Sequence, residues 1–204
     1  YLFASKFHMH KIILASQSPR RIMLLQWAEL EFETMVKHTD ETIQEGLPPD
    51  EVAMSIALDK AHSVQKELTK WAEERPDSSG HLPILAADTI VVLGNEIIGK
   101  PANRTEAIDC LKKLSGQTHL VITGVAIVAA HRTIQFSDTT AVTFYPLTDE
   151  QIAYYVDKYE PYDKAGAYAI QEWIGVVGIQ QINGDFYNVM GLPVSRVMQA
   201  LGQL

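Results

Sequence analysis

The sequence has little cysteine, an excess of acids over bases and no long apolar run, and each shortage excludes a class of protein. Cys110 is the single cysteine among 204 residues, which excludes an internal disulfide and fits a reducing cytoplasm. Asp and Glu outnumber Lys and Arg by 25 to 17, so overall charge favours neither nucleic acid nor an anionic membrane as a partner. No stretch approaches the roughly 18 apolar residues of a membrane span. We therefore expect a cytoplasmic protein.

The length and composition predict one globular domain. The chain has 204 residues, of which 47% are hydrophobic, enough to bury a sizeable core. Because Met9 directly precedes the segment HKIILAS, residues 1–8 are expected to be an N-terminal extension and residues 9–204 a single domain. Two lobes around a cleft fit this length better than two separable domains.

The order of the predicted elements favours an α/β fold with a mixed sheet. Apolar runs and alternating patterns predict strands at 12–15, 32–36, 84–93, 96–99, 118–130, 133–145 and 175–183. Helical spacing and capping residues predict helices at 19–28, 50–71, 105–114 and 148–158, and one from 193. The second of these carries Val52, Ile56, Ala57 and Ala61 on one apolar stripe. Both βα alternation and hairpins are present, so we expect a mixed sheet, containing antiparallel pairs, flanked by helices.

Two adjacent arginines stand at the start of the first predicted helix. Ser18 is a good N-cap and Pro19 a good first helical residue, which places Arg20 and Arg21 in the first turn. A helix start attracts anions and disfavours cations unless an anion lies between them. The hydroxyls of Ser16 and Ser18 can bind the same anion. An exposed, solvated pair is the alternative; the chain has neither a P-loop nor a Rossmann glycine motif to explain a phosphate site.

Four charged residues elsewhere indicate a binding site only when they are considered together. Asp88 lies in an apolar strand, where a carboxylate is costly unless it is paired, bound to metal or facing a cleft. Taken alone, it is most simply a strand-end residue bonded to backbone. Lys60, in a helix, and Lys100, in a turn, are each most simply exposed lysines, and Glu41 is most simply a solvated loop acid that can also bind a hard cation. With the two arginines, this set suits a metal–triphosphate ligand.

The segment YEPYDKAGAYAIQ, residues 159–171, combines polar and apolar side chains. Asp163 and Lys164 are most simply a solvated ion pair. The amide of Gln171 is both a donor and an acceptor, so it can read the edge of a nucleotide base.

Five blocks of sequence together resemble one known family. They are LASQSPRR, AADTIVVLGNEIIGKP, LSGQTH with TGVAIV, EPYDKAGAYAIQ, and NVMGLPVSRV. In this order and spacing they resemble the Maf family of nucleotide pyrophosphatases from about residue 12 to the C-terminus. The resemblance implies an α/β fold of the Maf/inosine-triphosphatase type with a central cleft, and often a homodimer. It also implies hydrolysis of nucleoside triphosphates to monophosphate and pyrophosphate with a divalent cation, Mg²⁺ or Mn²⁺.

The resemblance also assigns roles to particular residues. Asp88 matches the family's proton acceptor or, in another view, a metal ligand. Five further residues match the polar phosphate and metal site: Ser16, Arg21, Glu41, Lys60 and Lys100.

Three positions separate two branches of the family. Arg20, Thr89 and Gln171 resemble the dTTP/UTP branch, whereas the m7GTP-directed branch has an aromatic residue, glutamine and glutamate there. Two alternatives stay open: a nucleotide-binding regulator of septum formation that acts through a protein partner, and an inosine or xanthosine triphosphatase. The sequence does not distinguish standard from modified pyrimidine substrates.

Overall fold

The computed structural model describes residues 11–39, 46–74 and 82–204. The expected extension at 1–8, Met9 and Glu41 lie outside these residues. The strands are β1 Ile12–Leu14, β2 Phe32–Thr34, β3 Ile84–Leu93, β4 Glu96–Ile98, β5 Thr118–Val128, β6 Thr133–Phe144 and β7 Ile179–Asn183. The helices are α1 Pro19–Trp27, α2 Pro49–Glu74, α3 Arg104–Leu114, α4 Asp149–Tyr159, α5 Trp173–Gly178, α6 Phe186–Met190 and α7 Val194–Leu201.

The strands form one mixed sheet. Its order is β2-β1-β3-β5-β6-β7, and β4 also pairs with β3. β1 runs parallel to β2 and β3, whereas β3 to β7 pair in antiparallel fashion. The predicted mixed α/β class, with antiparallel pairs and flanking helices, is confirmed.

The side chains of β3 alternate between two hydrophobic cores, one on each face of the sheet. Leu85, Ala87 and Val91 join the larger core, which α1, α3, α4 and α7 help to build. Ile84 and Ala86 join a second core beneath α2. Because successive strand residues point to opposite faces, this alternation also fixes which way the polar residues of β3 point.

Helix α2 lies directly on the sheet. The stripe predicted from the sequence is buried, and it comprises Val52, Ile56, Ala57 and Ala61. At Gly124 in β5, an added Cβ would lie 2.2 Å from the backbone carbonyl carbon of Ala53, so only glycine permits this approach. The close contact places the beginning of α2 on β5, the strand that pairs with β3.

Residues 175–183 do not form the single strand predicted from their pattern. The first part lies in α5, and the strand begins only at Ile179. The chain turns tightly as it enters α5, where the backbone N–H of Gly175 donates to the carbonyl of Glu172. A Cβ added at Gly175 would lie 1.8 Å from the carbonyl oxygen of Ile170. The short helix α6 was not predicted. Within the described ranges, no helix is both long enough and apolar enough to cross a membrane.

Candidate functional site

A gap in the sheet exposes part of one edge of β3. β5 pairs along the other edge, from Ile84 to Val92. On the exposed edge, β1 pairs with Ile84 and Leu85, and β4 pairs with Val91 to Leu93. Among the described strands, none covers residues 86–90 there. Side chains from both faces of the sheet in this stretch can therefore reach one opening.

A cavity of about 750 Å³ lies at this gap. Nine of the ten predicted site residues line it: Ser16, Ser18, Arg20, Arg21, Lys60, Asp88, Thr89, Lys100 and Gln171. Glu41, the tenth, lies outside the described residues. The fold thus brings together segments that are far apart in the sequence, while the role of each side chain stays a prediction.

Asp88 and Lys60 form a partly buried ion pair on one wall of the cavity. The alternation of β3 turns Asp88 towards α2, where Lys60 Nζ donates to Asp88 Oδ1 at 2.7 Å. Asp88 is 8% exposed. A charge-assisted hydrogen bond offsets part of the cost of burying a carboxylate. The simpler interpretations of both residues, a strand-end aspartate bonded to backbone and an exposed helical lysine, are therefore wrong.

Arg21 lies on the opposite wall and is held by neutral groups. Its Nε donates to the carbonyl oxygen of Gly191 at 2.8 Å, its Nη1 to Ser16 Oγ at 3.3 Å and its Nη2 to Thr89 Oγ1 at 3.0 Å. Gly191 follows α6 with a φ of 117°, a backbone conformation that favours glycine. Arg21 is buried, so the alternative of an exposed, solvated pair is wrong for this arginine.

Ser18 begins α1 as the sequence predicted. Its hydroxyl accepts the backbone N–H of Arg21 at 3.5 Å, and its own backbone N–H donates to Ser16 Oγ at 3.2 Å. The two serines therefore shape the turn that carries both arginines to the cavity.

Arg20 belongs to a line of alternating charges on the cavity wall. Its Nη1 donates to Asp163 Oδ2 at 3.2 Å, and Lys164 Nζ donates to the other oxygen of Asp163 at 2.7 Å. Lys164 also lies 3.7 Å from Glu172 Oε1. Partial burial opposes the shift, but the hydrogen bond from Lys164 and the charge of Arg20 lower the pKa of Asp163.

Lys164 is a cavity residue that the sequence interpretation did not find. It lines the cavity and is 8% exposed, so the expected solvated ion pair is wrong for the lysine although Asp163 is exposed. The signal was available, because the lysine is followed directly by the apolar run AGAYAI. A cation in such surroundings is rarely buried unless a carboxylate accompanies it.

Lys100 and Gln171 are exposed residues that line the same cavity. Lys100 follows β4 and Gln171 precedes α5, so both are carried by connecting segments. Long or polar side chains on such segments can reach a ligand that the rigid strands position.

The donor set fits a cation that arrives with phosphate better than one held by protein alone. Among the described residues, no group of three or more His, Cys, Asp or Glu side chains could hold a metal ion. Asp88 does present a carboxylate inside the cavity. Mg²⁺ characteristically takes one or two carboxylates and completes its shell with water and substrate phosphates.

Cations and a carboxylate that meet at a break in a mixed sheet define a site for a small, phosphate-bearing ligand. The chain belongs to the family of Maf-like proteins, whose sequence model matches residues 11–204.

Curated relatives cover nearly the whole chain. A protein of Cytophaga hutchinsonii named dTTP/UTP pyrophosphatase is 44% identical over 203 residues, which is 100% of this chain and 88% of the relative. A Bacillus cereus protein of the same name is 46% identical over 195 residues, or 96% of each chain. Among solved structures, the Staphylococcus aureus Ham1 protein is 16% identical with a TM-score of 0.43, covering 66% of this chain and 71% of its own. So distant a likeness adds nothing to the family assignment.

Proposed function

We propose that this protein hydrolyses dTTP and UTP to the nucleoside monophosphate and pyrophosphate in the cavity beside β3. Two lines support the proposal. The relatives named dTTP/UTP pyrophosphatase match almost the full chain. The observation that carries the proposal is that the Asp88–Lys60 pair and Arg21 face one cavity, which offers a carboxylate next to anchored cations.

The cations of the cavity bind the triphosphate. Arg21, Lys60 and Lys100 neutralise the charge that grows on the phosphate oxygens as the reaction proceeds. The start of α1 lines the same cavity, and the helix dipole adds favourable potential for an anion there. Because the guanidinium of Arg21 is already anchored, little reorganisation is needed when the substrate binds.

Asp88 acts on the attacking water. The carboxylate takes a proton from water as the water oxygen forms a bond to the α-phosphorus. The bond between the α-phosphorus and its bridging oxygen to the β-phosphate then breaks, and pyrophosphate leaves. Lys60 holds one carboxylate oxygen, which fixes the orientation of the group. Service of Asp88 as a metal ligand is the alternative that the family resemblance also implies.

A divalent cation, Mg²⁺ or Mn²⁺, is part of the proposal. In the alternative role of Asp88, its carboxylate and, by the family resemblance, that of Glu41 would hold the cation together with the phosphate oxygens. Bound there, the cation supplies positive charge that stabilises the triphosphate during displacement.

Selection of the base falls to the side of the cavity that holds Arg20 and Gln171. The pyrimidine edge of uracil or thymine offers two carbonyls and one N–H. The amide of Gln171 can donate to a carbonyl and accept from the N–H, whereas a glutamate could only accept. Thr89, the third branch position, acts differently, as argued below.

The test is the initial rate of pyrophosphate release from a panel of triphosphates with each metal. We expect dTTP and UTP, or a modified pyrimidine, to exceed CTP, ITP, XTP and m7GTP. A regulator that only binds nucleotide would release no pyrophosphate, and faster turnover of ITP or XTP would favour the purine alternative. Light scattering tests the expected homodimer.

A further inference from the structure

Thr89 and Thr123 are opposite each other on neighbouring strands and share a hydrogen bond. They are directly paired in the register of β3 and β5, and their hydroxyl oxygens lie 2.9 Å apart. Thr123 Oγ1 also donates to the backbone carbonyl of Asn188 at 3.2 Å. On the other side, Arg21 Nη2 donates to Thr89 Oγ1 at 3.0 Å.

The direction of each hydrogen bond follows from counting protons. A hydroxyl has one proton, and a carbonyl oxygen can only accept. Because Thr123 gives its proton to the carbonyl of Asn188, it accepts from Thr89, whose other acceptor, the carbonyl of Gly191, lies farther away at 3.5 Å. Thr89 therefore accepts from Arg21 and donates to Thr123. We call the line from Arg21 through Thr89 and Thr123 to the carbonyl of Asn188 the threonine relay.

We propose that Thr123 is a positioning residue for the reaction, which acts through Thr89 to orient the guanidinium of Arg21. This inference rests on the proposed function. Thr89 then influences substrate use by holding Arg21, and it has no proton to offer to a carbonyl of the base.

The end of the relay is anchored in the core. Asn188 is fully buried, and its Nδ2 donates to the carbonyl of Val121 at 3.1 Å and to Thr140 Oγ1 at 3.0 Å. Thr123 is also fully buried and is not among the described residues that line the cavity. The relay thus ties a cavity cation to a rigid part of the sheet.

The segment at the end of the relay also holds the Nε side of the Arg21 guanidinium. α6, which contains Asn188, ends at Gly191, and the carbonyl of Gly191 accepts Arg21 Nε. One short segment therefore supplies an acceptor directly to Nε and, through the two threonines, an anchor for Nη2. Loss of the Thr89 hydroxyl leaves the guanidinium with Gly191 and Ser16 as partners, and loss of the Thr123 hydroxyl leaves Thr89 without its partner on β5.

The variants Thr89→Val and Thr123→Val remove the hydroxyls and nearly keep the side-chain volume. We expect each to lower kcat/KM by roughly five- to tenfold, the effect of one positioning hydrogen bond. The factor should be equal for dTTP, UTP and CTP, so that the preference among bases is unchanged. The double variant should lose no more than Thr89→Val alone, and Thr123→Ser should restore activity.

Thr143→Val is the matched control. Thr118 and Thr143 are, like Thr89 and Thr123, directly paired on neighbouring strands, and their hydroxyl oxygens lie 2.8 Å apart, but neither is among the residues that line the cavity. Removal of the Thr143 hydroxyl should leave kcat/KM within about twofold of the unsubstituted protein.

Binding of α,β-imido-dTTP, measured by calorimetry, separates failure of the relay from failure of the proposed function. Binding of the analogue without turnover of dTTP by the unsubstituted protein would contradict the proposed function, while a five- to tenfold weaker affinity in Thr123→Val would still support the relay. The relay is overturned if Thr123→Val binds the analogue and turns over dTTP like the unsubstituted protein, if Thr143→Val loses as much, or if Thr89→Val changes the preference among bases.

Discussion

Arg20 and Arg21 are neighbours in the sequence, yet the molecule holds them in different ways. Arg21 is buried and donates to neutral groups on β3, on the turn before α1 and after α6. Arg20 is less buried and donates to the carboxylate of Asp163, which is 60% exposed. Successive residues of an α-helix point about 100° apart, so one arginine turns to the sheet and the other to the segment before α5.

The same type of side chain is therefore held rigidly at one position of the cavity and loosely at the next. Neutral acceptors on rigid elements fix the direction of the Arg21 guanidinium, which suits a group that must meet a phosphate in one geometry. An exposed carboxylate shares the charge of Arg20 and leaves it adjustable, which suits a group that adapts to the base.

Asp88→Asn gives the largest expected loss of activity, against which the losses of the arginine variants are compared. The amide cannot take a proton, so we expect kcat for dTTP to fall by roughly 10²- to 10⁴-fold with the fold intact. Asp157→Asn is the control, because Asp157 pairs with Arg104 at the exposed surface. Full activity of Asp88→Asn in a pyrophosphate-release assay would contradict the assignment.

Arg21→Lys removes the rigid anchoring of the Arg21 guanidinium. A lysine keeps the charge but cannot reproduce the fork that reaches Gly191, Ser16 and Thr89 together. We expect a loss of roughly 10²-fold in kcat/KM for dTTP and UTP alike, of the size seen when one preorganised donor is removed. A loss below about threefold would show that anchoring of the guanidinium is unimportant.

Asp163→Asn tests the adjustable side and has a smaller expected effect. Removing the charge frees Arg20 from an exposed partner, and such pairs contribute little. We expect a change of less than about fivefold in kcat/KM, shrinking further as salt rises. An effect as large as that of Arg21→Lys would remove the distinction between the two arginines.

His119 has the smallest expected effect on rate and a larger one on stability. It is 1% exposed, its Nε2 lies 2.7 Å from the hydroxyl of Tyr168, and burial lowers its pKa to about 4. The unfolded chain takes up this proton near pH 6.5 and the folded protein only near pH 4. The contribution to stability is thus complete above pH 6.5 and is lost as the pH falls towards 4.

Denaturant unfolding of the unsubstituted protein and of His119→Gln, compared at several pH values, measures this contribution. Between pH 7 and pH 4, the unsubstituted protein should lose up to roughly 3 kcal/mol more than the variant. Parallel pH profiles would show that folding does not lower the pKa of His119.

The sequence predicts the main elements well, because their patterns are local. Ser18 and Pro19 mark the start of α1, and the apolar stripe of α2 shows its buried face. The predicted strand that became α5 failed for a different reason. Its course depends on the contact of Gly175 with the carbonyl of Ile170, which no periodicity records.

The candidate site was predictable only in part. Spacing alone does not bring Arg21 and Asp88 to one cavity; the family resemblance indicated that, and the gap between β1 and β4 supplies the geometry. Thr123 looks like any strand threonine in the sequence. Its connection to Arg21 exists only through the pairing of β3 with β5 and the return of α6, both of which are tertiary contacts.

The central claim is that one cavity, lined by side chains from both faces of β3, binds the triphosphate. A crystal structure with α,β-imido-dTTP and Mg²⁺ tests this claim most directly. We expect the phosphates to lie between Arg21 and the Asp88–Lys60 pair, with the thymine towards Gln171. A nucleotide seated elsewhere on the molecule, with these three side chains out of contact with phosphate, would contradict the claim.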